Sequence, residues 1–362
     1  MKLYDIAKPV LFGLPPESAH SLVHASLRAV QATPIERALR RRFVVDDDRL
    51  AVTAFDQHFD NPVGVAAGFD KNAEIAPALA SLGFGFVEVG GVTANPQAGN
   101  PRPRMFRLPA DEAIVNRMGL NNDGADVVGE RLRALEADVP VGVNLAKSED
   151  VSLAEAAADY RYTYERVAGG GPESGAGRAT SGGDFFVVNI SCPNSEDFRE
   201  LQNREPLAAI LASLTDAGAS PLLVKLSPDL PGTAVEDALE LVAEYDLDGV
   251  VATNTTTDRP ASLRSPNRVE EGGLSGAPLE QRATAMVRFV AERTDVPVVG
   301  VGGVSTARGA YRKIRAGASL VQLYTGMIYR GPSIARAINR GLLELLERDG
   351  FDSVEDAVGA DL

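Results

Sequence analysis

From residue 61 onward, short apolar runs recur at intervals, with stretches of helical periodicity between them. The runs PVGVAAG (62–68), GFVEVG (85–90), PVGVNLA (140–146), FFVVNIS (185–191), PLLVKLS (221–227), GVVATNT (249–255), PVVGVGG (297–303) and SLVQLYT (319–325) have the continuous apolar character of strands buried on both faces. Between them, Leu207, Ile210, Leu211 and Leu214 keep helical spacing, as do Ala238, Leu239, Leu241 and Val242. Eight strands alternating with helices is the count of an α/β chain folded as a (β/α)8 TIM barrel. An open doubly wound sheet is the rival arrangement.

Ahead of this repeat the pattern is different. Ala19, Leu22, Val23, Leu27 and Val30 recur at helical spacing after PPES, and a second helix start follows at Thr33-Pro34-Ile35-Glu36, a capping-box spacing with proline at the first helical position. Residues 50–60 alternate loosely and suggest a short hairpin. The expectation is a small N-terminal helical extension over 1–48, a barrel over 49–348 and an acidic C-terminal tail over 349–362. Two insertions, 95–119 and 256–276, follow the second and sixth strands and read as lids or binding loops. The Gly- and Ser-rich stretch 169–183 precedes the fourth strand and reads as a disordered linker on the opposite face.

In a barrel the loops at the carboxyl ends of the strands build the site. Those ends carry Asp70 and Lys71, Gly90 and Gly91, Asn144 and Lys147, Asn189 with Cys192 and Asn194, Lys225, Thr253 with Asn254 and Thr255, Gly302 and Gly303, and Tyr324 with Thr325. The only lysines are Lys2, Lys8, Lys71, Lys147, Lys225 and Lys313, so three at strand ends favour an anionic ligand. The turns after strands seven and eight resemble a phosphate cradle. Lys225, inside LLVKLS, is hard to explain structurally, because a lysine in a buried strand must pair or cost stability. His20 and His24 lie four apart on a predicted helix, but no further ligand stands nearby, so a plain helix face is the reading rather than a metal site.

The charge balance narrows the partners. A net charge of −14 argues against nucleic acid as a partner. An acidic, lysine-poor surface suits solubility in high salt. No membrane-spanning apolar stretch or signal peptide is visible, which places the chain in the cytoplasm, and the single cysteine agrees with a reducing compartment.

The blocks AAGFDKN, GNPRPRMFRL, NRMGLNN, VNISCPN, VKLSPDL, TNTT, GGLSG, GVGG and GASLVQLYTG occur in this order over about residues 61–330. Together they resemble the dihydroorotate dehydrogenases, flavin enzymes of pyrimidine synthesis. The helical start with LPPESAH resembles the membrane-associated, quinone-using class. The resemblance implies FMN lined by Ala67, Gly68, Lys71, Gly91, Asn144, Asn189, Lys225, Thr253, Gly276, Gly303, Tyr324 and Thr325. It implies a dihydroorotate or orotate site of Lys71, Asn116, Arg117, Met118, Gly119, Leu120, Asn189, Asn194, Asn254 and Thr255. Arg107 and Tyr324 match the family's quinone-side contacts. Asn side chains carry both donor and acceptor for the amide and imide edges of such a substrate, and Lys225 is suited to balancing charge on reduced flavin.

Cys192, between Asn189 and Asn194, is the expected catalytic base, its thiol activated by a nearby lysine. The loop 195–205 beside it reads as a lid. The quinone-using class usually has serine at the place of Cys192 and threonine at that of Gly91, so fumarate or NAD as acceptor is an alternative, as is a non-catalytic FMN barrel. A hydroxy-acid oxidase would need an active-site histidine, and His20, His24 and His58 all precede the barrel motifs. The expected setting is a monomer held peripherally at the cytoplasmic face of the cell membrane by its amphipathic N-terminal helices, next to a membrane quinone.

Overall fold

The computed structural model describes residues 3–169, 182–191 and 200–362. Most of the glycine-rich stretch 169–183, together with Cys192, Asn194 and the first part of the expected lid, lies outside the described residues.

Three helices come first: α1 (Leu3–Gly13), α2 (Pro16–Val30) and α3 (Pro34–Phe43). The start of α3 follows its sequence signals. Thr33 Oγ1 accepts the N–H of Ile35 at 3.2 Å, and Glu36 reaches back to accept the N–H of Ala32 at 2.6 Å. A hairpin of β1 (Val52–Ala54) and β2 (Gln57–Phe59) follows.

The remaining strands are β3 (Val63–Val65), β4 (Phe86–Val92), β5 (Met105–Leu108), β6 (Ala113–Asn116), β7 (Val141–Leu145), β8 (Phe185–Asn189), β9 (Leu222–Leu226), β10 (Gly249–Ala252), β11 (Gly273–Gly276), β12 (Val298–Val301) and β13 (Ala318–Leu323). Eight of them close into a parallel barrel in the order β3-β4-β7-β8-β9-β10-β12-β13. The closed barrel, not the open sheet, is therefore the fold. Its strands are those expected from the apolar runs.

The two insertions do not lie as separate loops. They supply β5, β6 and β11, which pair antiparallel into a small sheet beside the mouth, with Asn116 in register with both Met105 and Gly273. Leu108, Val115 and Leu274 give that sheet its own apolar cluster. At the other end of the chain, residues 349–362 pack rather than trail. Val354 and Ala357 are buried, and Arg315 forms ion pairs with both Asp349 and Asp361.

The bottom of the barrel is closed by aromatic rings. Phe59 from the hairpin meets the rings of Phe86 and Phe185 edge-on, with centroids 5.3 and 6.4 Å away. These rings need space on the neighbouring strands, and glycine supplies it. A Cβ on Gly142 would lie 2.2 Å from the Phe185 ring, which no relaxed packing allows. Gly142→Ala should therefore destabilise the fold by about 1–3 kcal/mol in denaturant unfolding. The same substitution in a Phe185→Leu background should cost clearly less; equal costs in both backgrounds would show that the ring contact is not the cause.

Candidate active site

The carboxyl ends of the barrel strands and the β5-β6-β11 sheet enclose one cleft. Its lining includes every expected cofactor residue: Ala67, Gly68, Lys71, Gly91, Asn144, Asn189, Lys225, Thr253, Gly276, Gly303, Tyr324 and Thr325. Asn116, Met118, Gly119, Leu120, Asn254 and Thr255 line it too.

The floor is a chain of amides hung on one carboxylate. Glu88, fully buried on β4, accepts from Asn144 Nδ2 and from Gln322 Nε2, each at 2.6 Å, and faces Lys225 Nζ at 3.4 Å. A carboxylate only accepts, so Asn144 must turn its amino group down toward it. That leaves Asn144 Oδ1 to accept from Asn189 Nδ2 at 2.9 Å. Asn189 Oδ1 in turn accepts from Ser191 N–H at 3.2 Å and from Asn254 Nδ2 at 3.3 Å. Asn254 Nδ2 also donates to the Ser191 carbonyl at 3.0 Å, which fixes the backbone immediately before Cys192.

Lys71 stands on the wall as a cation that has no hydrogen-bonded partner among the described residues. Burial first, then the Arg104 guanidinium, pushes its ammonium down to about 8, while Glu17 and Asp70 oppose the shift. Its neighbour Asp70 is occupied: it accepts the backbone N–H groups of Glu74 at 2.9 Å and Ile75 at 2.8 Å and so shapes the turn. At the opposite end, Gly276, Gly302 and Gly303 all have positive φ and leave bare backbone facing the opening. Ser275 and Thr325 hydroxyls bond each other at 2.8 Å there.

Several expected residues lie elsewhere. Arg117 turns its guanidinium away from the cleft, pairing with Glu270 at 3.0 Å and stacking over Phe106. Arg107 sits in the seam between the cap and the barrel, donating to the carbonyls of Phe12 at 3.0 Å and Leu14 at 3.1 Å. Lys147 was one of the strand-end lysines suggesting an anion site, but the structure corrects that reading. It is buried and donates to the carbonyls of Ser148 and Val151, so its charge closes a turn.

His20 is not on a plain helix face either. Its Nε2 lies 3.1 Å from the Phe69 carbonyl and its ring packs edge-on against Phe69, which itself meets Tyr324. Burial, then Lys71, lowers His20 to about 3, so the imidazole is neutral. Burial likewise raises the Tyr324 phenol and keeps it protonated. Tyr324, which lines the cleft, is thus backed by Phe69 and a neutral His20, while the floor and wall carry ammonium groups.

Glu88 and Gln322 were missed in the sequence. Their signal was available: a carboxylate inside FVEVG and an amide inside SLVQLYT are as anomalous in buried strands as Lys225 in LLVKLS.

A closed parallel barrel whose carboxyl end carries a cleft with ammonium groups on its floor and wall and glycines at its rim has the architecture of the (β/α)8-barrel enzymes, with a site suited to an anionic ligand. The profile of the dihydroorotate dehydrogenase family matches residues 49–346. The chain is 71% identical, over the whole of both chains, to a dihydroorotate dehydrogenase (quinone) of Haloarcula marismortui. It is 62% identical, again over the whole of both, to one of Natronomonas pharaonis. The crystal structure of DHODH from Eimeria tenella in complex with ferulenol superposes with a TM-score of 0.86 at 38% identity, covering 97% of this chain and 98% of that one. The chain belongs to the dihydroorotate dehydrogenase family.

Enzymes of this family depend on FMN, and the residues present fit it. Lys225 lines the opening from the floor as an ammonium, beside Asn144, whose amide Glu88 holds in place. The positive-φ glycines at the rim expose backbone where a phosphate would need N–H groups.

Proposed function

We propose that the chain oxidises dihydroorotate to orotate through bound FMN and passes the electrons to a quinone. The observation that carries this reading is the floor in which Lys225, Asn144, Asn189 and Asn254 converge on one cleft in a fixed amide orientation. The full-length relatives named dihydroorotate dehydrogenase (quinone) support the choice of acceptor.

When bound, FMN supplies the two-electron acceptor over the barrel mouth. Lys225 and Asn144 would hold its ring, and the backbone at Gly276 and Gly303 would hold its phosphate. Lys71 binds the substrate carboxylate by charge. Asn116, Asn189, Asn194 and Asn254 pair with the amide and imide edges of the ring, fixing which carbon faces the flavin. Cys192 takes the proton from the carbon next to the one that gives up its hydrogen with the electron pair. Asn254 and Asn189 position the chain that leads into Cys192.

The acceptor side rests on the cap. Ile6, Val10 and Leu22 are 56%, 71% and 51% exposed, an apolar stripe on α1 and α2 facing solvent. No helix among the described residues is long and apolar enough to cross a membrane. We read the stripe as a peripheral contact with the membrane interface, from which a lipid-soluble quinone reaches the uncharged His20–Phe69–Tyr324 edge. Arg107, by clamping the end of α1, keeps that entrance in place.

Three outcomes follow from these assignments. Cys192→Ala should lower turnover by at least about a hundredfold while FMN and orotate still bind, the usual scale for losing a general base; near wild-type turnover would place the base elsewhere. Orotate affinity, read from the flavin absorbance, should fall as the pH rises past about 8, because only protonated Lys71 attracts the carboxylate. The slope above that pH approaches about tenfold per unit, and Lys71→Met should flatten it. Val10→Glu combined with Leu22→Glu should reduce flotation with lipid vesicles and raise the KM for membrane-embedded quinone, leaving flavin reduction by dihydroorotate unchanged in stopped flow.

A further inference from the structure

Glu88 lies one layer beneath the cleft. Lys225, Asn144 and Asn189 line the opening above it, whereas Glu88 and Gln322 do not. The four groups that meet here come from β4, β7, β9 and β13. β4 and β9 stand three places apart in the closed barrel, so their side chains meet only across its interior. Glu88 is the one carboxylate paired with Lys225 among the described residues. The floor therefore presents a short dipole to the cleft, with the ammonium on top and the carboxylate below, rather than a bare positive charge.

We propose that Glu88 is a positioning residue that tempers the charge of Lys225 and thereby lowers the reduction potential of the FMN held on that floor. The inference rests on the reading of the cleft as the FMN site. Two-electron reduction adds negative charge to the bound group, and an uncompensated ammonium favours that charge more than an ammonium backed by a carboxylate. In the screened interior of a protein, a unit charge several ångströms away is worth a factor of about ten or more in an equilibrium constant. Keeping the potential low favours handing the electrons on to the acceptor over retaining them.

The geometry also provides a clean way to remove the charge. In Glu88→Gln, one amide oxygen continues to accept from Asn144, and the new amino group faces Gln322. Among the described residues Gln322 Oε1 has no partner, so turning its amide offers that oxygen to the new donor and restores the bond. Glu88→Asp keeps the charge and changes the packing instead.

The test is a spectroelectrochemical titration of the holoenzyme and of both variants. It is paired with dissociation constants for oxidised and chemically reduced FMN, whose ratio reports the same shift even where flavin is held weakly. Glu88→Gln should raise the midpoint potential of bound FMN by about 30 mV or more, equivalent to about a tenfold rise in the ratio of oxidised to reduced dissociation constants. Glu88→Asp should move that ratio less than about threefold, since the charge stays. An unchanged potential in Glu88→Gln, or an equal shift in Glu88→Asp, would overturn the proposal, the latter by showing that packing sets the potential. Failure of the wild-type chain to bind FMN would overturn the cofactor reading and this inference with it.

Discussion

A carboxylate and an ammonium enclosed in the middle of a barrel constrain everything above them. Burying either Glu88 or Lys225 alone would carry a penalty of several kcal/mol, so neither group is tolerable without the other. The pair adds little net stability compared with an apolar core; what it fixes is direction. Because a carboxylate offers only acceptors, the amide of Asn144 has one permitted orientation, which dictates that of Asn189, which dictates that of Asn254. Amides are otherwise easily reversed, with donor and acceptor differing little in shape. The recognition surface at the mouth inherits its pattern of donors and acceptors from a charge that the ligand never touches.

The same division of charge organises the two sides of the cleft. Cations stand on the floor and wall, where Lys225 and Lys71 line the cleft. At the cap edge, His20 is kept neutral by burial and by Lys71, and Tyr324 is kept protonated by burial. The guanidinium groups nearest the cap are occupied in joining it to the barrel: Arg104 pairs with Glu17 at 2.9 Å, and Arg107 holds the carbonyls at the end of α1. On the proposed function, a neutral acceptor meets aromatic faces and a charged substrate meets ammonium groups, without the two regions competing for ligands.

The fold was legible in the sequence because its signal is repeated. Eight apolar runs of strand length, each followed by helical spacing, leave few topologies, and the periodicity survives errors of a residue or two at each end. Site residues were legible where a polar group interrupts such a run. Lys225 announced itself in this way, and Glu88 in FVEVG sent the same signal unread. Strand-end position alone was a poorer guide. Lys147 occupies the expected level, but its turn folds back and closes over the ammonium, something that depends on backbone path rather than residue type. Arg117 fails for a related reason: its neighbours Met118, Gly119 and Leu120 reach the cleft, while its own long side chain finds Glu270 and the Phe106 ring on the outer side. His20 required knowing which helix face meets the mouth, which spacing within the helix does not reveal.

The insertions show how tertiary pairing overrides a local reading. Long segments after strands two and six resemble lids when taken separately. Paired, they become β5, β6 and β11, and Asn116 is held in register from both sides by segments more than a hundred residues apart. Backbone paired on both edges cannot move aside without breaking both ladders, so this wall acts as a fixed template. The chain beyond β8 is constrained at its far end as well, since Leu201 is fully buried and Arg204 bridges Glu240 and Glu244. The mouth is thus framed by a fixed wall on one side and, on the other, by backbone tied down at Ser191 and again at Leu201.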